Sequence, residues 1–138
     1  MSAEVCRRCS EVEECYEFML AYAAQGVSSG DGSQSGGRIR EVLQQTVEAL
    51  SGLADACATA VKAGPLEPAE KYLAFCAVTE RDAGDALAAI ELVLAQPAIS
   101  SQLIDNLNAS LHLRAVLTDL FLLGDIIRQQ MPAAIATP

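Results

Sequence analysis

PAEKYLAFCAVTERDAGDALAAIELVLAQ, residues 68–96, places Tyr72, Cys76, Thr79, Ala83, Ala86, Ile90 and Val93 at alternating steps of four and three. Such spacing returns a side chain to one face of an α-helix at every turn, whereas a half-buried strand repeats at every second residue. Pro68 suits a first helical turn, where the N–H that proline lacks has no acceptor within the helix. Pro97 stops the run. The stretch predicts one amphipathic helix over 68–96.

The same period recurs on both sides. Residues 3–25 carry it at Val5, Cys9, Val12, Tyr16, Met19 and Ala23. Residues 38–63 carry it at Ile39, Leu43, Thr46, Leu50, Leu53, Cys57 and Ala60. Residues 101–130 form a fourth, more broadly apolar segment, with Ser100 and Ser101 offering hydroxyls to cap its start. Residues 64–67 and 97–100 are short connectors, so the rods they join should be antiparallel neighbours. Residues 26–37 are rich in Gly and Ser, the composition of a flexible tether, and leave the direction of the first rod open. No segment alternates like a strand. The expected fold is all-α: one domain over 1–131, a four-helix bundle running up-down-up-down, with a loose tail at 132–138.

Composition narrows the classes of function. Of 138 residues, 51% are hydrophobic and 20% charged, which excludes intrinsic disorder for the whole chain. With 4% aromatics and no Trp, the core must be built of Ala, Leu, Val and Ile. The net charge of −9 would be repelled by a nucleic-acid backbone or an anionic membrane, so neither is expected as a partner. The most apolar stretch, 115–127, contains Asp119 and Asp125 and falls short of the ~20 residues a bilayer span needs. Residues 1–8 lack the apolar region of a secretory signal. Five cysteines, an odd number set within helical patterns, fit a reducing cytoplasm better than a disulfide scaffold.

In an up-down-up-down bundle, Cys9, Cys57 and Cys76 fall near one level at one end, with Cys6 a turn from Cys9. Converging thiolates could hold zinc, copper or an iron–sulfur cluster. Free cysteine is equally a small core hydrophobe. Both readings stand at the level of sequence.

Two surfaces carry more apolar area than one stripe per rod requires. On the first rod Cys15, Phe18 and Tyr22 form a second stripe, either a docking patch or the far wall of a wide groove that buries both stripes. On the fourth, Leu113, Val116, Leu117, Leu120, Leu123 and Ile127 form one arc and Ala115, Leu122 and Ile126 another, with His112 and Asp119 between them. A rod apolar nearly all round is buried nearly all round. A homodimer or a complex through the fourth rod is therefore expected, with His112 and Asp119 as buried polar groups at that interface.

Catalytic patterns are missing. His112 is the single histidine, and Ser110 points away from it on a helix. Gly30-Asp31-Gly32-Ser33 lacks the lysine of a phosphate loop. No glutamate stands three residues before His112, as a di-iron bundle requires. Glu11, Glu13, Glu14 and Glu17 read as a solvated face near a helix start. The architecture is similar to that of histidine-phosphotransfer domains, but His112-Leu113-Arg114-Ala115-Val116 departs from their His-x-Leu-Lys-Gly pattern. The overall profile resembles secretion-system or flagellar chaperones and small regulatory adaptors, without a shared motif. The expected function is a non-enzymatic, cytoplasmic protein–protein interaction bundle: an adaptor, small regulatory or chaperone-like protein acting as a dimer or in a complex. The alternative is a cysteine-based metal-binding or redox-sensing bundle using Cys6, Cys9, Cys57 and Cys76.

Overall fold

The structure, a computed structural model, describes residues 2–28 and 34–130. The middle of the Gly/Ser tether (29–33) and the tail expected at 132–138 lie outside the described residues. Six α-helical segments follow one another: α1 (Ala3–Gln25), α2 (Gln34–Leu50), α3 (Leu53–Ala63), α4 (Ala69–Leu94), α5 (Ser101–Ala109) and α6 (His112–Gln130). Among the described residues there is no strand.

A plain four-helix bundle is not what these segments make, because two of the four expected rods are broken. The rod expected at 38–63 begins earlier, at Gln34, and bends at Ser51-Gly52. Gly52 has φ +80°, a conformation glycine adopts without a steric cost. With α2 and α3 counted as one bent arm, the chain has five arms. The rod expected at 101–130 breaks at Ser110-Leu111, where Leu111 takes φ +67°. A left-handed leucine costs roughly 1–2 kcal/mol. The local backbone bonds offset part of this: the Ser110 N–H donates to Asn106 O and Leu107 O, the Leu111 N–H to Asn108 O, and the Ala115 N–H to Leu111 O.

The helix ends follow ordinary capping chemistry. Ser2 Oγ accepts from the Val5 N–H at 3.3 Å and Ser100 Oγ from the Leu103 N–H at 3.1 Å, each satisfying a first-turn donor. Two arginines close helix ends from a distance. The Arg8 guanidinium donates to the carbonyls of Glu48 (3.0 Å), Ala49 (3.1 Å) and Ser51 (2.6 Å). Arg40 donates to those of Leu94 (3.3 Å), Gln96 (2.7 Å) and Pro97 (3.0 Å). Each places a cation at the negative end of a helix and occupies carbonyls that have no partner within it. Arg8 brings the start of α1 to the end of α2, and Arg40 brings the start of α2 to the end of α4. The first arm is thereby antiparallel to the second, a direction the tether left open.

α1 packs against α2 and α5, and α4 against α6 and α3, with α2 also reaching α4. The buried stripe of α1 is Val5, Val12, Cys15, Met19 and Tyr22, while Cys9, Tyr16 and Ala23 of the expected seam are only half-buried. The stripe turns because α1 has a neighbour on each side. Of its second stripe, Cys15 and Tyr22 are core, and Phe18 is half-buried.

Candidate functional site

On α6, Leu113, Val116, Leu117, Leu120, Leu123 and Ile127 are all buried, facing the interior. The second arc is different. Ala115 and Ile126 are half-buried, whereas Leu122 is 50% exposed and its neighbour Phe121 is 51% exposed. Adjacent residues on a helix point about 100° apart, so Phe121, Leu122 and Leu123 cannot all face one core. That signal was present in the sequence, and Phe121 was missed.

Beside this ridge, α4 and α6 enclose a groove of about 290 Å³, lined by Pro68, Lys71, Tyr72, Phe75, Leu122, Leu123 and Ile126. Its walls are apolar apart from the Lys71 ammonium and the Tyr72 hydroxyl. Tyr72 is only 6% exposed, and its Oη has no hydrogen-bond partner among the described residues. A buried hydroxyl left unpaired costs about 1–3 kcal/mol. The exposed charges along α6 are Arg114, Asp125 and Arg128, with Arg128 and Asp125 3.6 Å apart.

Farther along the same seam, Asp82 of α4 is close enough to Asp119 of α6 to influence its carboxyl. Asp119 Oδ2 is buried and finds no donor nitrogen or hydroxyl. Two carboxyl groups can bond only when one holds a proton. Burial first, then the hydrogen bond to Asp82 and its charge, push the Asp119 carboxyl up to about 7. The sequence pattern predicts Asp119 and His112 at an interface between chains. The structure places Asp119 against α4 of its own chain, and His112 is exposed at the start of α6. Asp82, beside the seam residue Ala83, carried no sequence signal of its own.

The stripe Cys15, Phe18, Tyr22 is not an open patch. Cys15 and Tyr22 are buried, and the Tyr22 hydroxyl donates to the Ile99 carbonyl at 2.6 Å. Phe18 is half-buried, stacked on Tyr22 with ring centroids 6.5 Å apart, and the Arg38 guanidinium lies 5.7 Å from its ring centre.

The cysteines divide by exposure. Cys57 and Cys76 are buried, Cys9 half-buried and Cys6 exposed. Cys57 contributes to the raised Cys9 thiol, and Cys76 to the raised Cys57 thiol. Burial, then the charge of Glu13 and a 3.6 Å bond donated to its carboxylate, push the Cys9 thiol up to about 12. Burial and Cys76 push Cys57 up to about 11. These groups are thiols at neutral pH, and metals bind thiolates. Among the described residues no three His, Cys, Asp or Glu side chains are grouped so that they could hold a metal ion. Cys57 instead lines an apolar cavity of about 270 Å³ with Leu66, Leu123 and Ile127.

No helix among the described residues is long and apolar enough to cross a membrane. No protein-family model, curated protein or solved structure matches the chain.

Proposed function

We propose that this chain is a non-enzymatic helical interaction protein that pairs with a second copy of itself through the α4–α6 face, in an adaptor or small regulatory role. The observation that carries this reading is an apolar ridge, Phe121 and Leu122, lying beside an apolar groove on the same face. A ridge next to a groove is self-complementary: a two-fold rotation lays the ridge of each copy into the groove of the other.

Charge favours the same occupant. The chain carries −9 overall, but the exposed charges of α6 are Arg114, Asp125 and Arg128, a net +1, while α4 exposes Glu70, Lys71, Glu80, Arg81, Asp85 and Glu91, a net −2. Two-fold pairing sets the net-positive α6 surface of one copy over the net-negative α4 surface of the other and keeps the remaining acidic surface apart.

Size exclusion with light scattering tests the reading. The wild type is expected at twice 14.5 kDa at micromolar concentration. Leu122→Asp and Phe121→Ser should give folded monomers, since both side chains are half exposed within one copy. A wild type that stays monomeric over the whole concentration range overturns the proposal.

A further inference from the structure

Ser110 and Leu111 alone separate α5 from α6. Ser110 already has helical angles, φ −66° and ψ −19°, so the break rests on Leu111 at φ +67°. No glycine or proline stands between Ser101 and Leu123 to ask for a corner there. The break also leaves the N–H groups of His112, Leu113 and Arg114 without an acceptor among the described residues. An unbroken helix supplies them with the carbonyls of Asn108, Ala109 and Ser110, each four residues back. We infer that Ser110-Leu111 is a hinge for exchange between copies: Leu111 returns to the right-handed region, α5 and α6 become one rod, and α6 packs on α4 of a second copy.

The packing permits the exchange. α5 sits on α1 and α6 on α4, and the two share little contact with each other. α5 is pinned to α1 by the Tyr22–Ile99 and Ser101–Tyr22 bonds and by Asn108 Nδ2, which donates to the Met19 carbonyl at 3.3 Å. With α5 held, turning the Leu111 φ by about 130° to its helical value swings α6 off its own α4. That bares the stripe Leu113, Val116, Leu117, Leu120, Leu123 and Ile127. The surface shaped to receive it is α4 of another copy in the same state.

An exchanged dimer keeps the packing of two closed copies apart from the corners themselves. It relieves the left-handed leucine in each copy and pairs the three first-turn N–H groups of each α6. Its cost is the entropy of joining two chains, so protein concentration sets the balance. The route is separate from the docking of closed copies, because Phe121 and Leu122 stay on the outside of α6 and take no part in it.

Refolding of full-length Leu122→Asp chains tests the hinge, since that change removes face docking and leaves the buried stripe intact. Two differently tagged versions are unfolded in urea, refolded together at millimolar concentration, diluted and separated by size. Mixed dimers that survive dilution are expected, because release requires α6 to leave a buried seat; versions mixed after folding should give none. Adding Leu111→Gly should raise the concentration needed for half-exchange roughly thirtyfold or more, since it erases the penalty in both copies. Leu111→Ala keeps the Cβ and the strained backbone while shedding the exposed side chain, and should exchange as before.

Monomers alone after millimolar refolding overturn the hinge, as do equal yields from the glycine and alanine chains. Phe121→Ser takes the place of Leu122→Asp if the buried acid of that variant prevents folding. Reversible pairing of the wild type with no trapped dimer leaves docking standing and removes the hinge. Trapped dimers from a wild type that never pairs reversibly do the opposite.

Discussion

The hydroxyl of Tyr22 donates to the backbone carbonyl of Ile99 at 2.6 Å, joining the end of α1 to the turn before α5. Ser101 completes the joint: its Oγ donates to the Tyr22 carbonyl at 2.6 Å and accepts from the Val27 N–H at 2.9 Å. Tyr22→Phe keeps the ring and strands a buried carbonyl, so it should cost about 1–3 kcal/mol in urea unfolding. Tyr22→Phe with Ser101→Ala should cost less than the sum of the single changes, because the two share one joint. A Tyr22→Phe chain as stable as the wild type would show that the joint contributes nothing net.

Arg8 and Arg40 should each be worth about 1–2 kcal/mol when changed to glutamine, the scale of charge-assisted bonds discounted for partial exposure. Lysine should restore only part of this at Arg8, since an ammonium can reach the carbonyls that Nη1 contacts but cannot also keep the bond that Arg8 Nε donates to Glu4 Oε1 at 2.7 Å. Full recovery by Arg8→Lys in thermal melts would assign the effect to charge alone.

At the acid end Glu4 behaves oppositely to Asp119. Hydrogen bonds from Arg7 and then Arg8 hold its carboxyl below the ordinary range. Its contribution is present above the unfolded pKa and fades as pH falls through the lowered value. In thermal melts from about pH 5 down to 2, Glu4→Gln should show a shallower fall than the wild type. Parallel curves would assign the acid loss to other carboxylates.

Leu111→Gly should raise stability by about 0.5–1 kcal/mol, because it relieves a left-handed backbone at a side chain that is 55% exposed. Gly52→Ala should do the reverse by about 1 kcal/mol at φ +80°. Melting temperatures of the two variants relative to the wild type give the comparison, and a shift of the same sign in both would contradict it.

Thiol chemistry separates the cysteines. In the native protein Cys6 should react with an aromatic disulfide reagent within seconds at about pH 8, and Cys9 far more slowly, its thiol lying near 12. Cys15, Cys57 and Cys76 should wait for unfolding, when all five react. Added zinc should leave the melting temperature unchanged. A zinc-dependent rise abolished by Cys57→Ser would restore a metal role.

How much of this was legible follows from where the backbone obeys its own periodicity. The 68–96 rod was read to within two residues at each end, because its seam never slips and prolines bound it. Ser51-Gly52 carried a turn signal that the continuous apolar seam through Leu50 and Leu53 overrode. The break at Leu111 had no local signal, for neither glycine nor proline stands there, and it exists because α5 packs on α1 while α6 packs on α4. The site was half visible. The arc with Leu122 was in the pattern, but its groove needs α4 beside it, and Asp82 becomes notable only once Asp119 is found opposite.

The first helix is moored at both ends by polar contacts to other arms, Arg8 at the α2 terminus and Tyr22 with Ser101 at the head of α5. Its place is set by those moorings and by the buried stripe between them, rather than by covalent connection to α2. Severing the chain between Ser28 and Gln34 should yield two pieces that find each other and rebuild the native far-ultraviolet spectrum on mixing, turning an ordinary domain into a self-assembling pair of fragments.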